Sequence, residues 1–298
     1  MKILHTSDWH IGSVLYGRKR YDESEQFLNW LAETIKSHSI ETLLVSGDIF
    51  DTSTPSNTAQ ELYYRFLNEV SRTTCRHVIV TGGNHDSPSF LNAPKALLKA
   101  FNVHVVGSTA EREEDEVFVL KDAANNPKVI VCAVPFLRDR DVRQSSEGES
   151  YRDKESRLVE GIISHYQKVY EEACKERNEL GKSLPIIGMG HLFIAGSSIY
   201  KRSGEASGER DLYVGNLGQV PADRLPPFDY FALGHLHIPQ KVAGSETIRY
   251  SGSPMAMNFD EIHQQKSVVI VDIHDQNVDI QTVPVPAFRH FDQIKGDW

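Results

Sequence analysis

In this 298-residue chain, seven side chains of types that hold hard or borderline cations stand at the ends of short apolar runs. Asp8 and His10 come after Lys2–Thr6, Asp48 after Thr42–Ser46, and Asn84 after His77–Thr81. His191 follows residues 185–189, and His235 and His237 follow residues 230–233. Two Asp, one Asn and four His, with no thiol, form an oxygen and nitrogen donor set. Such a set suits Mn²⁺, Fe²⁺, Mg²⁺ or Zn²⁺ in a reactive centre rather than a structural zinc site. Asp8-Trp9-His10 and His235-Leu236-His237 share a spacing of two, and alternate residues of an extended chain point the same way. Each pair is thus expected to reach toward one site. Taken singly, a strand-end Asp is more often a turn residue or a helix cap. What the bland reading does not explain is five such strand ends in one chain, all carrying metal-ligand types.

The elements that must position these residues are legible as apolar patterns. The runs that precede the motifs are short and often β-branched, as expected of strands buried on both faces. Phe27, Leu28, Leu31 and Ile35 recur at helical spacing, as do Leu62, Tyr63, Phe66, Leu67 and Val70. Residues 89–100 predict a third helix, with Pro94 set against its full length. Residues 151–180 predict one long helix with a stripe of Leu158, Ile162, Tyr166, Val169 and Ala173. Alternation of strand and helix in the first half implies βαβ units. Residues 117–120, 128–134, 247–250, Ser267–His274 and 278–283 read as strands with few helices between them, which predicts a second sheet. The fold class expected is α/β, with two stacked mixed β-sheets flanked by helices. Ligands in α/β folds bind outside the carboxyl ends of the strands, where the seven side chains fall. Residues 195–210 read as a loop, residues 1–285 as one catalytic domain, and residues 286–298 as a linker stub.

The motifs Asp8-x-His10, Gly47-Asp48-x-x-Asp51, Gly83-Asn84-His85-Asp86, Gly190-His191 and Gly234-His235-x-His237 resemble the calcineurin-like metallophosphoesterase signature. One branch is matched more closely. The stretch from His5 to Gly12, Gly47-Asp48-Ile49-Phe50-Asp51, Ala232-Leu233-Gly234-His235-Leu236-His237 and Tyr250-Ser251-Gly252-Ser253-Pro254 resemble the SbcD-type DNA nucleases of bacteria. The likeness runs to about residue 295.

The resemblance implies roles. Asp8, His10 and His237 would hold one metal ion, and Asn84, His191 and His235 the other, with Asp48 bridging both. The ions implied are two divalent cations, Mn²⁺ first, with Fe²⁺, Mg²⁺ or Zn²⁺ as alternatives. His85 would be catalytic, beside the scissile phosphate, with Asp51 as the partner that holds its tautomer. Asp86 has a simpler expected role, capping the helix that follows. The related protein phosphatases carry Arg directly after the second Asp. This chain has Thr52 there, which favours a diester substrate over a monoester. Of the 13 histidines, the eight outside these motifs, His5 among them, are assigned no chemistry.

The net charge of −9 and pI of about 5.8 are unhelpful to a nucleic-acid partner, because phosphate binding usually leaves a basic footprint. Two divalent ions would offset that locally. Tyr16, Arg18, Lys19 and Arg20 in the first loop, and Lys201 and Arg202 after the fourth motif, are candidates for DNA contact. The cluster Arg138, Arg140 and Arg143 follows Pro135-Phe136. The partners implied by the resemblance are DNA (duplex ends, hairpins, single strands) and an SbcC-type ATPase. A homodimer through the apolar face of residues 58–70 is a further possibility, although core packing explains that face equally. The activity implied is 3′-to-5′ exonuclease action on duplexes and endonuclease action on single strands or hairpins. Family members continue past this length into a capping domain and a region that docks on the ATPase. Three scattered cysteines, no export signal and no long apolar run predict a cytoplasmic protein without a membrane span. Three rival readings remain. They are a small-molecule phosphodiesterase or phosphatase, a non-catalytic DNA-end scaffold, and a subunit whose metals only stabilise the fold.

Overall fold

A computed structural model describes residues 1–142, 150–197, 218–274 and 277–292. The first half runs β1 (Lys2–Thr6), a small hairpin of β2 (Val14–Leu15) and β3 (Arg18–Lys19), α1 (Tyr21–Ser37), β4 (Thr42–Ser46), α2 (Asn57–Val70), β5 (His77–Thr81), α3 (Pro88–Asn92), α4 (Lys95–Lys99) and β6 (Val103–Val106). There follow β7 (Val117–Lys121), β8 (Pro127–Ala133), α5 (Asp139–Val142), α6 (Tyr151–Glu179), β9 (Ile186–His191), β10 (Tyr230–Gly234), β11 (Gln240–Lys241), β12 (Ile248–Tyr250), β13 (Ser267–His274) and β14 (Asn277–Pro284).

Two six-stranded mixed sheets result. One has the order β14-β13-β1-β4-β5-β6 and the other β11-β12-β10-β9-β8-β7. In the first, β1, β4, β5 and β6 are parallel, and in the second so are β12, β10, β9 and β8. The sheets face each other through an apolar layer that includes Ile3, Leu44, Ile79, Val131, Ile187, Met189, Ala232 and Val269. Phe27, Leu31, Leu62 and Phe66 of α1 and α2 cover the outer face of the first sheet. Ile162, Tyr166, Val169 and Ala173 of α6 cover the second. The stripes seen in the sequence are thus the faces that helices bury. Each such side chain contributes roughly 1.5–3 kcal/mol on leaving water.

Two details differ from expectation. Strands β13 and β14 do not join the second sheet. β13 pairs antiparallel with β1, and β14 forms the outer edge beyond it. An apolar alternating run shows that a strand exists, but its pairing partner is a long-range choice. The helix expected over 89–100 is two short helices with Pro94 between them, because proline has no N–H to continue the ladder. Residues 286–292 contact α1. Phe288 packs against Phe27 with ring centroids 6.5 Å apart, and Arg289 Nε lies 3.4 Å from Glu23 Oε1. The apolar face of residues 58–70 is taken up by the core. No described helix is long and apolar enough to cross a membrane.

Candidate metal centre

The site lies where β1, β4, β5, β9 and β10 end. The parallel pairing of β1 with β4 continues beyond both strands. Asp8 N donates to Gly47 O, His10 N to Asp48 O and Ile11 N to Ile49 O, each at 3.0 Å. Two loops therefore run side by side and bring Asp8, His10 and Asp48 together. All three have left-handed backbones, with φ of 53°, 44° and 50°. His235 has φ of 100°. The convergence is therefore made by tight left-handed turns and not by alternation along an extended strand. Such conformations are uncommon for non-glycine residues and persist where the surroundings fix them. Trp9 is one such anchor. Its buried indole donates to Thr6 Oγ1 at 3.0 Å and meets Phe27 and Phe66 edge-on.

Two glycines allow the close approach. Gly47 has φ of 83°, and a Cβ on it would overlap the His191 ring. A Cβ on Gly83 would overlap the Asp48 carboxylate. Asp86, expected as a helix cap, serves elsewhere. Ser87 caps α3 by accepting from Phe90 N, while the Asp86 carboxylate accepts from Gly83 N, Ile49 N and Phe50 N. It ties the loop after β4 to the loop after β5. Burial, joined by the Asp48 charge, pushes its pKa up to about 6.

All seven candidate ligands meet. Donor atoms of Asp8, His10 and His237 lie within 4.8 Å of one another, as do those of Asp8, Asp48 and His191. Asn84 Oδ1 lies 2.9 Å from His191 Nε2 and 3.1 Å from His235 Nδ1. Asp48 Oδ2 lies 3.2 Å from His191 Nε2 and 3.6 Å from His10 Nε2, between the two groups. The Asp8 carboxylate is oriented by Ser7 Oγ and by the main-chain N–H of His235.

The donor chemistry fits cations. His191 Nδ1 donates to the Ser46 carbonyl at 2.9 Å, so its Nε2 bears the lone pair in the neutral ring. That lone pair is aimed at two oxygens, which only a proton or a cation can reconcile. His10 Nε2 and His237 Nε2 face each other at 3.2 Å, where one ring can donate to the other or both lone pairs can turn to a cation. Buried His235 Nε2 has no hydrogen-bond partner among the described residues. The electrostatics agree. Burial disfavours charge on His191, but Asp48 and Asp8 outweigh it and push its pKa up to about 9. Burial and the His191 charge hold His235 down at about 3. Burial also works against the Asp48 charge, yet His191 and His10 keep that carboxyl well below the usual range.

His85 stands beside this cluster, its ring edge-on to His10 at 4.9 Å. Its main-chain N–H donates to Asp48 Oδ1 at 2.9 Å. The expected His85–Asp51 pairing takes another form. His85 Nδ1 donates to the Asp51 main-chain carbonyl at 2.8 Å, whereas the Asp51 carboxylate lies 3.4 Å from His10 Nδ1. A carbonyl still fixes the tautomer and leaves Nε2 for chemistry.

The basic candidates separate. Tyr16, at a left-handed turn of the hairpin, is 75% exposed and meets Phe259 edge-on at 5.1 Å. Arg18 and Lys19 are exposed. Arg20 is buried and unavailable to DNA. Its guanidinium binds Glu23 and the Ala256 carbonyl, because α1 begins there and turns the side chain inward. Lys201, Arg202 and Arg143 lie outside the described residues, as does most of the loop expected over 195–210. Arg138 was not placed near the site by its sequence context, but its Nη2 donates to the Asp86 carbonyl at 3.2 Å, one residue from His85. Sequence reasoning also missed Glu261 and Lys266, which lie behind His237 in a segment without a periodic pattern. The Ser-Gly-Ser-Pro segment was the one available signal. Ser251 Oγ lies 2.8 Å from Ser7 Oγ, and Ser253 N donates to the His237 carbonyl at 3.2 Å.

Residues 1–239 match the calcineurin-like phosphoesterase family. Over its full 298 residues the chain is 38% identical to the SbcD subunit of the SbcCD nuclease of Escherichia coli K12 and covers 71% of that protein. It is 34% identical over 280 residues to the SbcD subunit of Rhodobacter capsulatus, covering 92% of this chain and 66% of the relative. The SbcD subunit of Bacillus subtilis is 33% identical over 277 residues, or 91% of this chain and 66% of the relative. The chain belongs to the calcineurin-like phosphoesterase family, in its branch of SbcD-type nuclease subunits.

Proposed function

We propose that this chain is the nuclease subunit of an SbcC–SbcD-type complex and hydrolyses DNA phosphodiester bonds with two Mn²⁺ ions. The single observation that carries the reading is the convergence of seven donors in two groups, with Asp48 between them. Asp8, His10 and His237 would hold one ion, and Asn84, His191 and His235 the other. When bound, the two cations would polarise the phosphate and favour ionisation of a water.

The remaining work falls to the chain. His85, locked through Nδ1 by the Asp51 carbonyl, presents Nε2 to stabilise the phosphate or to protonate the leaving sugar oxygen. Asp51 acts on both sides, through its carbonyl on His85 and through its carboxylate on His10. Thr52 brings no guanidinium for a phosphomonoester dianion. Tyr16, Arg18 and Lys19 are the exposed first-loop candidates for the DNA backbone and bases, with an SbcC-type ATPase as the protein partner. Residues 1–285 form the catalytic domain, with residues 286–298 as its linker stub.

The test is hydrolysis of end-labelled duplex and hairpin DNA with Mn²⁺, beside bis-p-nitrophenyl phosphate. We expect Mn²⁺-dependent DNA cleavage that falls about 10²- to 10⁴-fold in His85→Ala, the range for loss of a positioned proton donor. Cleavage of the small diester with DNA left intact, both alone and with an SbcC-type partner, would replace this reading by a small-molecule phosphodiesterase.

A further inference from the structure

His237 differs from the other candidate ligands in what stands behind it. Its side chain is 24% exposed, whereas those of His10 and His191 are 1% and 0% exposed. A ligand at the open rim is held less by packing and needs another constraint. The structure places a buried ion pair there. Glu261 Oε1 lies 3.6 Å from His237 Nδ1, a charge contact rather than a hydrogen bond at that length. Lys266 Nζ donates to Glu261 Oε2 at 2.7 Å and to the His237 carbonyl at 2.9 Å, with Gln264 Oε1 at 3.1 Å and Ser253 Oγ at 3.2 Å within reach of its third proton. Glu261 is further fixed by Met257 N at 3.0 Å and by Asn258 Nδ2 at 3.1 Å. Glu261 and Lys266 are each 5% exposed.

A buried ion pair seldom adds to stability compared with apolar residues of similar volume, so its presence asks for another explanation. We propose that Glu261 and Lys266 are positioning residues for His237: the carboxylate holds Nδ1 protonated so that Nε2 faces the cation, and the ammonium fixes both the carboxylate and the His237 main chain. A carboxylate behind a ligating imidazole sets its tautomer and raises its basicity. Lys266 makes the arrangement rigid, because one ammonium grips the backbone of the ligand and the group that orients its ring. The segment is in turn fastened to the end of β14. Val285 N donates to Lys266 O at 2.8 Å, and Gln265 Nε2 donates to Val285 O at 3.0 Å.

This inference rests on the two-cation reading of the site, and the experiment separates their failures. Mn²⁺ is titrated calorimetrically into the metal-free protein, with thermal unfolding followed on the same samples. Glu261→Gln alone would strand the Lys266 charge, so the decisive protein is the double variant Glu261→Gln with Lys266→Met, which leaves no unpaired charge. We expect wild type to bind two ions, and the double variant to lose about 10- to 100-fold in affinity for one ion only. Two ions bound by the double variant with wild-type affinities would overturn the proposal. Equal weakening of both ions with a lowered melting temperature would also overturn it, by showing a merely structural pair. Wild type that binds no Mn²⁺ would remove the functional reading itself, and this inference with it.

Discussion

The two halves of the candidate metal centre are built from similar donors but supported differently. In the half formed by Asn84, His191 and His235, the His191 ring is held by a main-chain carbonyl, that of Ser46, at 2.9 Å. In the half formed by Asp8, His10 and His237, carboxylates stand behind both imidazoles. Asp51 lies 3.4 Å from His10 Nδ1, and Glu261 lies 3.6 Å from His237 Nδ1. A carbonyl fixes a tautomer through the fold itself, with only a dipole. A carboxylate adds a full charge that strengthens the imidazole as a donor, and a single substitution can remove it. The first kind of support is as rigid as the ladder between β1 and β4. The second is adjustable by substitution, and one of its two imidazoles, that of His237, is partly exposed.

The largest effect is expected on removing the group that both halves share. Asp48→Asn is expected to cost both ions, and with them at least about 10³-fold in hydrolysis, the several kcal/mol that bound cations supply. Mn²⁺ content by elemental analysis, beside the hydrolysis rate, checks this. Retention of both ions would show that the halves are independent. A smaller effect is expected from Asp51→Asn, which keeps the main-chain carbonyl for His85 but removes the charge behind His10. Mn²⁺ affinity should fall about 10-fold for one ion and stay unchanged for the other. A loss shared by both ions would contradict the division into halves.

The smallest effect at neutral pH is expected away from the cleft, at His5. Its ring is buried between the Tyr230 hydroxyl and the Leu233 carbonyl, and burial pushes its pKa down to about 3. The folded state therefore keeps His5 neutral, while the unfolded chain binds a proton near pH 6.5. The unfolded state gains as pH falls through that window, so stability declines from about pH 6.5 toward 3 and levels off below it. In His5→Gln the melting temperature should fall less steeply over that range than in wild type. Equal slopes would mean that other groups account for the acid sensitivity.

What the sequence revealed, and what it hid, follows from the physics of each feature. The seven donors were legible because cation binding restricts side-chain type, and because strand ends concentrate them at one edge of the sheets. Asp51 was legible as a residue but not in its action, since its carbonyl and carboxylate serve different histidines through turns of the loop after β4. Arg20 read as part of a surface basic cluster, yet it begins α1 and turns inward to Glu23. Glu261 and Lys266 were invisible because they act across long range. Lys266 meets the carbonyl of a residue 29 positions earlier, and no periodicity reports that. The return of β13 and β14 to the first sheet was hidden for the same reason, since pairing to β1 joins the two ends of the chain.

Two cations in one cleft with Asp48 between them would be visible directly. The most direct measurement is anomalous diffraction at the manganese edge from crystals grown with Mn²⁺. Two peaks about 3.5–4 Å apart are expected. One should lie against Asp8, His10 and His237, the other against Asn84, His191 and His235, with Asp48 touching both. A single peak, or peaks away from these seven side chains, would contradict the two-cation arrangement.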